Sequence, residues 1–243
     1  MKTSHNVPYA SYKECILDTY IPDGEVKAIF LYFHGGGLEG GDKADAQAFA
    51  SDFAQKGYGV ISANYRMYPS HAYPDFLYDS ALAVKWAKEN YPTLPLFVGG
   101  SSAGGYISQM LCFDQKYLKW AGLDGDVIAG YVHDAGQPTA HFNVLSKNGF
   151  DNRRVIVDES APLYHVGTTD KYAPMLIIAS DNDMQNRLEQ TYLLISTLKH
   201  FGHEKDVHFI LSHGAHCDYV IKIENEKSVF AQMILPFFEK YYK

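Results

Sequence analysis

The pentapeptide Gly100-Ser101-Ser102-Ala103-Gly104 stands between a strand-like apolar run, Leu96–Gly99, and a helix-like stretch, Tyr106–Phe113. A serine at the centre of so sharp a strand-to-helix turn has strained backbone angles. A Cβ on either flanking residue would meet its neighbours, which is why both flanks are glycine. The pattern therefore demands a strand running into a helix that packs back on a sheet, and it lifts one hydroxyl clear of that sheet.

The rest of the chain supplies such units in series. Period and punctuation predict strands over Cys15–Tyr20, Ala28–Phe33, Gly59–Ala63, Asp126–Val132, Met175–Ala179 and Val207–Leu211. Helices are predicted over Asp45–Lys56, Asp75–Asn90, Arg187–Phe201 and Lys227–Tyr241, the last interrupted or kinked at Pro236. Strands alternating with helices give a largely parallel sheet covered on both faces. At about 150 residues per domain, 243 residues make one large domain or two small ones, and no stretch reads as a linker. The least periodic segment is 136–171, a partial cap or a surface excursion.

Composition removes several classes of function. A formal charge of −7 works against a nucleic-acid partner, which would require a basic face. The longest apolar run, Ala28–Phe33, is far short of a membrane span, and Met1-Lys2-Thr3 leads into no apolar signal region, so a soluble cytoplasmic protein is expected. Cys15, Cys112 and Cys217 are odd in number and widely spaced, which indicates neither a disulfide framework nor a zinc site. Nineteen tyrosines are the one excess, and Tyr65, Tyr68, Tyr73, Tyr106, Tyr131 and Tyr164 suit cleft walls that could stack on a sugar.

A serine hydroxyl needs a base to take its proton and a carboxylate to orient that base. Each of the last two predicted strands is followed by such residues. Ser180-Asp181-Asn182-Asp183 follows one, and Ser212-His213-Gly214-Ala215-His216 the other. Each loop offers two candidates. Asp183 and His216 are favoured because they stand farther into their loops, His216 after a Gly-Ala pair that lets the chain turn back. His34-Gly35-Gly36-Gly37 follows Ala28–Phe33 and exposes consecutive N–H groups, donors suited to an anion formed on a carbonyl oxygen. His34 itself reads as a loop anchor. The spacing from Gly35 to Gly40 also fits a dinucleotide loop, but no acidic residue ends the next strand as that reading requires.

Taken in order, Phe33-His34-Gly35-Gly36-Gly37, Asn64-Tyr65-Arg66, Pro74 with Asp79, and Gly99 to Gly105 resemble the α/β-hydrolase superfamily. Within it they are similar to the carboxylesterases of the hormone-sensitive lipase and BD-FAE branch. The resemblance runs from about Lys27 to the C-terminus and is weakest over 136–160. It implies an α/β-hydrolase fold with a mostly parallel central sheet, helices on both faces and little or no cap, as a single domain over 1–243. It implies Ser102 as nucleophile, Asp183 as orienting acid and His216 as base, with an oxyanion hole from the N–H groups of Gly36, Gly37 and Ala103. No metal or organic cofactor is required. The implied partner is a small-molecule ester, with no nucleic acid and no membrane, and a homo-oligomer is compatible with the chain. The implied reaction is hydrolysis of short-chain acyl esters, acetylated sugars among them. The alternatives are an arylformamidase or amidase on the same constellation and a non-catalytic hydrolase-fold binding protein. Two features depart from the family. Leu38 replaces a frequent aromatic, and only 33 residues precede His34, too few for a large N-terminal cap.

Overall fold

A computed structural model describes residues 1–242. Its centre is a sheet of eight strands: β1 (Lys2–Pro8), β2 (Ile16–Ile21), β3 (Ala28–Phe33), β4 (Tyr58–Ala63), β5 (Leu96–Ser101), β6 (Gly130–Asp134), β7 (Met175–Asn182) and β8 (Val207–Ala215). They lie in the order β1-β2-β4-β3-β5-β6-β7-β8. β2 is antiparallel to both its neighbours, and every pair from β4 onward is parallel. The elbow serine therefore leaves the C-terminal end of a central strand, where the loops of its parallel neighbours converge.

The apolar runs are continuous because both faces of the sheet are covered. Along β3, Phe30 and Tyr32 point to one side while Ile29, Leu31 and Phe33 point to the other, as the two-residue period requires. The first side is closed by α1 (Gln47–Gln55) and α7 (Val229–Tyr241). The second is closed by α2 (Asp75–Asn90), α3 (Ala103–Phe113), α4 (Lys116–Trp120) and α6 (Arg187–His200). Rings fill the first layer: Phe97 stacks on Phe238 at 4.1 Å and Phe30 on Phe53 at 5.5 Å between centroids. The remaining helix, α5 (Phe142–Lys147), lies in the segment 136–171.

Several expectations are corrected. The strand expected over Asp126–Val132 is Gly130–Asp134, and Gly125–Val127 is a 3-10 turn. His133 and Asp134 are thus buried strand residues. β7 and β8 run on past Ala179 and Leu211, so Asp181 and His213 lie within paired strands. α7 begins at Val229 after a short strand at Lys227–Ser228 and continues through Pro236. The N–H that Pro236 lacks would have bonded Gln232, an exposed residue, so the helix survives the proline there. Tyr65, Tyr68, Tyr106 and Tyr131 are buried and Tyr73 is half-buried, so of the six tyrosines set aside for a cleft only Tyr164 is exposed. Among the described residues, no helix is long and apolar enough to cross a membrane.

Candidate active site

The elbow is built by close approach. A Cβ on Gly104 would lie 1.9 Å from the Phe33 carbonyl oxygen, and one on Gly100 would lie 2.4 Å from the same atom. Only glycine lets β3 and the turn after β5 come this near. Ser102 pays for the geometry with φ 56° and ψ −112°, a conformation that side chains adopt rarely. Two backbone hydrogen bonds hold it there: its N–H donates to the Asp134 carbonyl at 2.8 Å, and its own carbonyl accepts from Tyr106 at 2.9 Å.

The hydroxyl meets a histidine and a carboxylate in line. Ser102 Oγ lies 2.8 Å from His216 Nε2, and His216 Nδ1 lies 2.5 Å from Asp183 Oδ1. The Asp183 side chain is 1% exposed and that of His216 23%, so the carboxylate is fixed while the imidazole edge reaches the cleft. The Met184 N–H donates to Asp183 Oδ1 at 2.6 Å and keeps the acid aimed at the ring. The other two candidates pair with each other instead. His213 Nδ1 lies 2.5 Å from Asp181 Oδ2, with the histidine side chain 92% exposed and the aspartate 39%.

The glycine loop lies directly against the elbow, since a Cβ on Gly35 would be 3.3 Å from Ser102 Cβ. Gly36 has φ 106° and Gly37 φ 66°, and a Cβ on Gly36 would lie 2.2 Å from the Gly40 carbonyl oxygen. Ala103 is the first residue of α3, where an N–H has no partner within the helix. His34 anchors the loop as expected. Its Nδ1 is 2.7 Å from the Gly35 carbonyl, its ring stacks on Tyr65 at 4.5 Å, and burial lowers its pKa, which favours the neutral ring. Tyr65 OH donates to the His34 carbonyl at 2.8 Å. Leu38, where an aromatic was the family expectation, is fully buried.

The motif around Arg66 and Asp79 proves to be scaffolding. Arg66 Nε and Nη2 bond the Asp79 carboxylate at 2.8 and 2.7 Å, and the Arg66 N–H bonds it at 2.9 Å. Asn64 accepts from the Lys43 N–H at 2.6 Å and donates to Asp42 at 2.8 Å, tying down the stretch beyond the glycines.

Two contributors were not found in the sequence. Asn143, in α5, donates from Nδ2 to the Gly37 carbonyl at 2.6 Å and so fixes the orientation of that peptide. Its segment carries no periodic signal, and nothing in the residues marks it. Asp134, at the end of β6, is the second. It is buried behind His216, accepts from Tyr219 OH, and has Cys217 Sγ 3.9 Å from Oδ2. Burial pushes its pKa up to about 6. Burial drives His133 and His141 down to about 3, so both rings are neutral. Among the described residues, no group of three or more His, Cys, Asp or Glu is arranged to hold a metal ion.

The likeness to known proteins follows the same frame. Versiconal hemiacetal acetate esterase of Aspergillus parasiticus is 35% identical over 79 residues, which are 32% of this chain and 25% of that protein. Esterase LipC of Mycobacterium tuberculosis is 30% identical over 195 residues, 70% of this chain and 48% of that protein. The matched part thus spans from a quarter to about half of these relatives' length. In three dimensions, esterase B from Lactobacillus rhamnosis superposes with a TM-score of 0.80 over 98% of this chain and 85% of that one, at 16% identity. The sequence profile of the alpha/beta hydrolase fold matches residues 30–215, from β3 and its glycine loop to the end of β8, and the chain belongs to that family.

Proposed function

We propose that this protein is a serine carboxylesterase that hydrolyses short-chain acyl esters through an acyl-enzyme. The observation that carries the reading is the aligned series Asp183 Oδ1, His216 Nδ1 and Nε2, and Ser102 Oγ at 2.5 and 2.8 Å, set beside the glycine loop. His216 takes the hydroxyl proton as Ser102 Oγ bonds to the ester carbonyl carbon. The oxygen becomes an anion facing the N–H groups of Gly36, Gly37 and Ala103. One well-aimed donor of this kind is worth about 3 kcal/mol of barrier. The anion collapses, His216 gives its proton to the departing alcohol, and the acyl group stays on Ser102. Water then attacks in the same way, with His216 taking its proton and returning one to Ser102.

The relatives named as esterases support ester hydrolysis. The short-chain preference rests on α5, which seats Asn143 directly at Gly37. An acetylated sugar belongs to this class, although the tyrosines that suggested it lie mostly in the core. The test is hydrolysis of 4-nitrophenyl acetate, butyrate and octanoate by the wild type and Ser102→Ala. Turnover of acetate or butyrate that vanishes in the variant is expected. Turnover surviving in the variant removes Ser102 as nucleophile, and faster octanoate turnover removes the short-chain part.

A further inference from the structure

Beside the acid loop lies a recess of about 330 Å³ whose lining includes Gln137, Phe142, Arg154, Met184, Arg187 and Gln190. It adjoins the site on two sides. Met184 follows Asp183 in the chain, and the Phe142 ring comes within 3.5 Å of a Cβ built on Gly37. Its lining holds three arginines and no carboxylate, in a chain whose formal charge is −7. One of them, Arg153, is already neutralised by Asp151, which it grips through Nε at 2.9 Å and Nη2 at 2.6 Å. Among the described residues, no Asp or Glu lies within ion-pair distance of Arg154 or Arg187.

Arg187 is the unusual one, because it is only 4% exposed. It donates to the Ala135 carbonyl, and Nη2 reaches Gln137 Oε1 at 3.3 Å and Met184 Sδ at 3.9 Å, all uncharged acceptors. Burying a charge is costly unless an opposite charge comes with it, and a guanidinium does not escape by losing its proton. The Asp183 charge acts on Arg187 from beyond ion-pair distance, and its Oδ1 is already bonded to His216, so on the recess wall Arg187 still lacks a carboxylate in contact with it. Phe142 and Met184 meanwhile offer an apolar floor for a short carbon chain.

We propose that the recess binds a carboxylate carried by the substrate, so that the ester taken by Ser102 is an anionic one. Its carboxylate pairs with Arg187 and Arg154, and its methylenes or ring lie over Phe142 and Met184. The guanidinium fork matches the planar carboxylate. This inference rests on the esterase reading above and names the substrate class of the same site.

Two matched pairs of esters test it. Monomethyl adipate against methyl hexanoate places the charge on the acyl side, and 4-acetoxybenzoate against 4-acetoxybenzamide places it on the alcohol side. At least a tenfold preference in kcat/KM for the anionic member of one pair is expected, and the pair that shows it tells which half of the ester enters the recess. That ratio should fall at least fivefold in Arg154→Gln and in Arg187→Gln, and further in Arg154→Glu. A ratio cancels any general loss of activity, and the exposed Arg154 carries the test where an Arg187 variant fails to fold. Absence of preference in both pairs, or a preference unchanged in Arg154→Glu, overturns the proposal. A readout free of turnover separates it from the esterase reading: adipate should raise the melting temperature of the wild type more than that of Arg154→Glu. No 4-nitrophenyl acetate hydrolysis together with a normal adipate shift sinks the esterase alone. Active enzyme with no adipate shift, or a shift with inorganic phosphate only, sinks the carboxylate site.

Discussion

His213 and Asp181 form a hydrogen-bonded pair of the same 2.5 Å length as His216 and Asp183, yet they face solvent on the extended ends of β8 and β7. Asp183 stands two residues beyond Asp181, just past the end of β7, and His216 three beyond His213, just past the end of β8. Only the second pair reaches Ser102, at 2.8 Å. Geometry thus separates residues of identical chemistry, and it makes the first prediction sharp. His216→Ala and Asp183→Asn should each lower kcat on 4-nitrophenyl acetate by about ten-thousand-fold. His213→Ala and Asp181→Asn should leave kcat within about twofold, because an exposed pair this far from the serine contributes little. A large loss in either outer variant would exchange the roles.

Asn143 sets up a second prediction. Its Nδ2 holds the Gly37 carbonyl at 2.6 Å, and a peptide whose carbonyl is fixed has its N–H directions fixed as well. Asn143→Ala frees that peptide, so the donors no longer sit where the oxyanion forms. The loss should fall on kcat, by about ten- to a hundredfold given the worth of a single donor, with KM changed little. A rise in KM at constant kcat would mean that Asn143 lines the substrate pocket and does not position the loop.

The Arg66–Asp79 pair yields a stability prediction. Asp79 is fully buried and accepts hydrogen bonds from three donor groups of Arg66, whose side chain is itself buried. Asp79→Ala leaves a buried guanidinium with the Asp75 carboxylate, 3.4 Å from Nη1, as its one remaining ion pair among the described residues, beside the Asp75 carbonyl and the Tyr12 ring. Loss of one partner from a buried pair costs about 3–5 kcal/mol, readable in urea unfolding. A cost below about 1 kcal/mol would show that Asp75 and water replace the partner.

How much of this was legible follows from what each part depends on. The strands Ala28–Phe33 and Met175–Ala179 announced themselves because a strand covered on both faces must be apolar throughout. The elbow was legible because Gly100 and Gly104 answer a backbone clash, and such a clash leaves only one residue type. β1 was missed for the opposite reason. It lies at the sheet edge with six of its seven residues exposed and needs no apolar period. Arg187 and Asn143 act through tertiary neighbours, Ala135 and Gly37, that are distant in the chain, and no local pattern records such a meeting. The tyrosines misled because a ring with a polar tip suits a cleft and a core equally. Tyr65 and Tyr106 bury theirs and satisfy the hydroxyl on the carbonyls of His34 and Ser160.

Asp134 makes the stability of this protein depend on pH in a direction opposite to that of a salt-bridged aspartate. Burial lifts its folded-state pKa from the ordinary 3.8 to about 6, against the opposing effect of the hydrogen bond from Tyr219 OH. Between these two values the folded protein holds a proton at Asp134 that the unfolded chain has released. Stability from this residue is therefore greatest at and below about pH 4, declines as the pH rises, and is fully lost above about pH 6. The rise is worth about 3 kcal/mol at neutral pH. Asp134→Asn keeps an acceptor for Tyr219 and removes the charge. Its stability relative to the wild type should therefore climb by about 2–3 kcal/mol between pH 4 and pH 7.5 in urea unfolding. Taking the difference between the two proteins cancels the carboxylates they share. A gap that stays level across that range would mean that Asp134 ionises as freely in the fold as in the open chain. A gap that narrows with rising pH would mean that the charged carboxylate stabilises the fold, through Tyr219 or His216, by more than its burial costs.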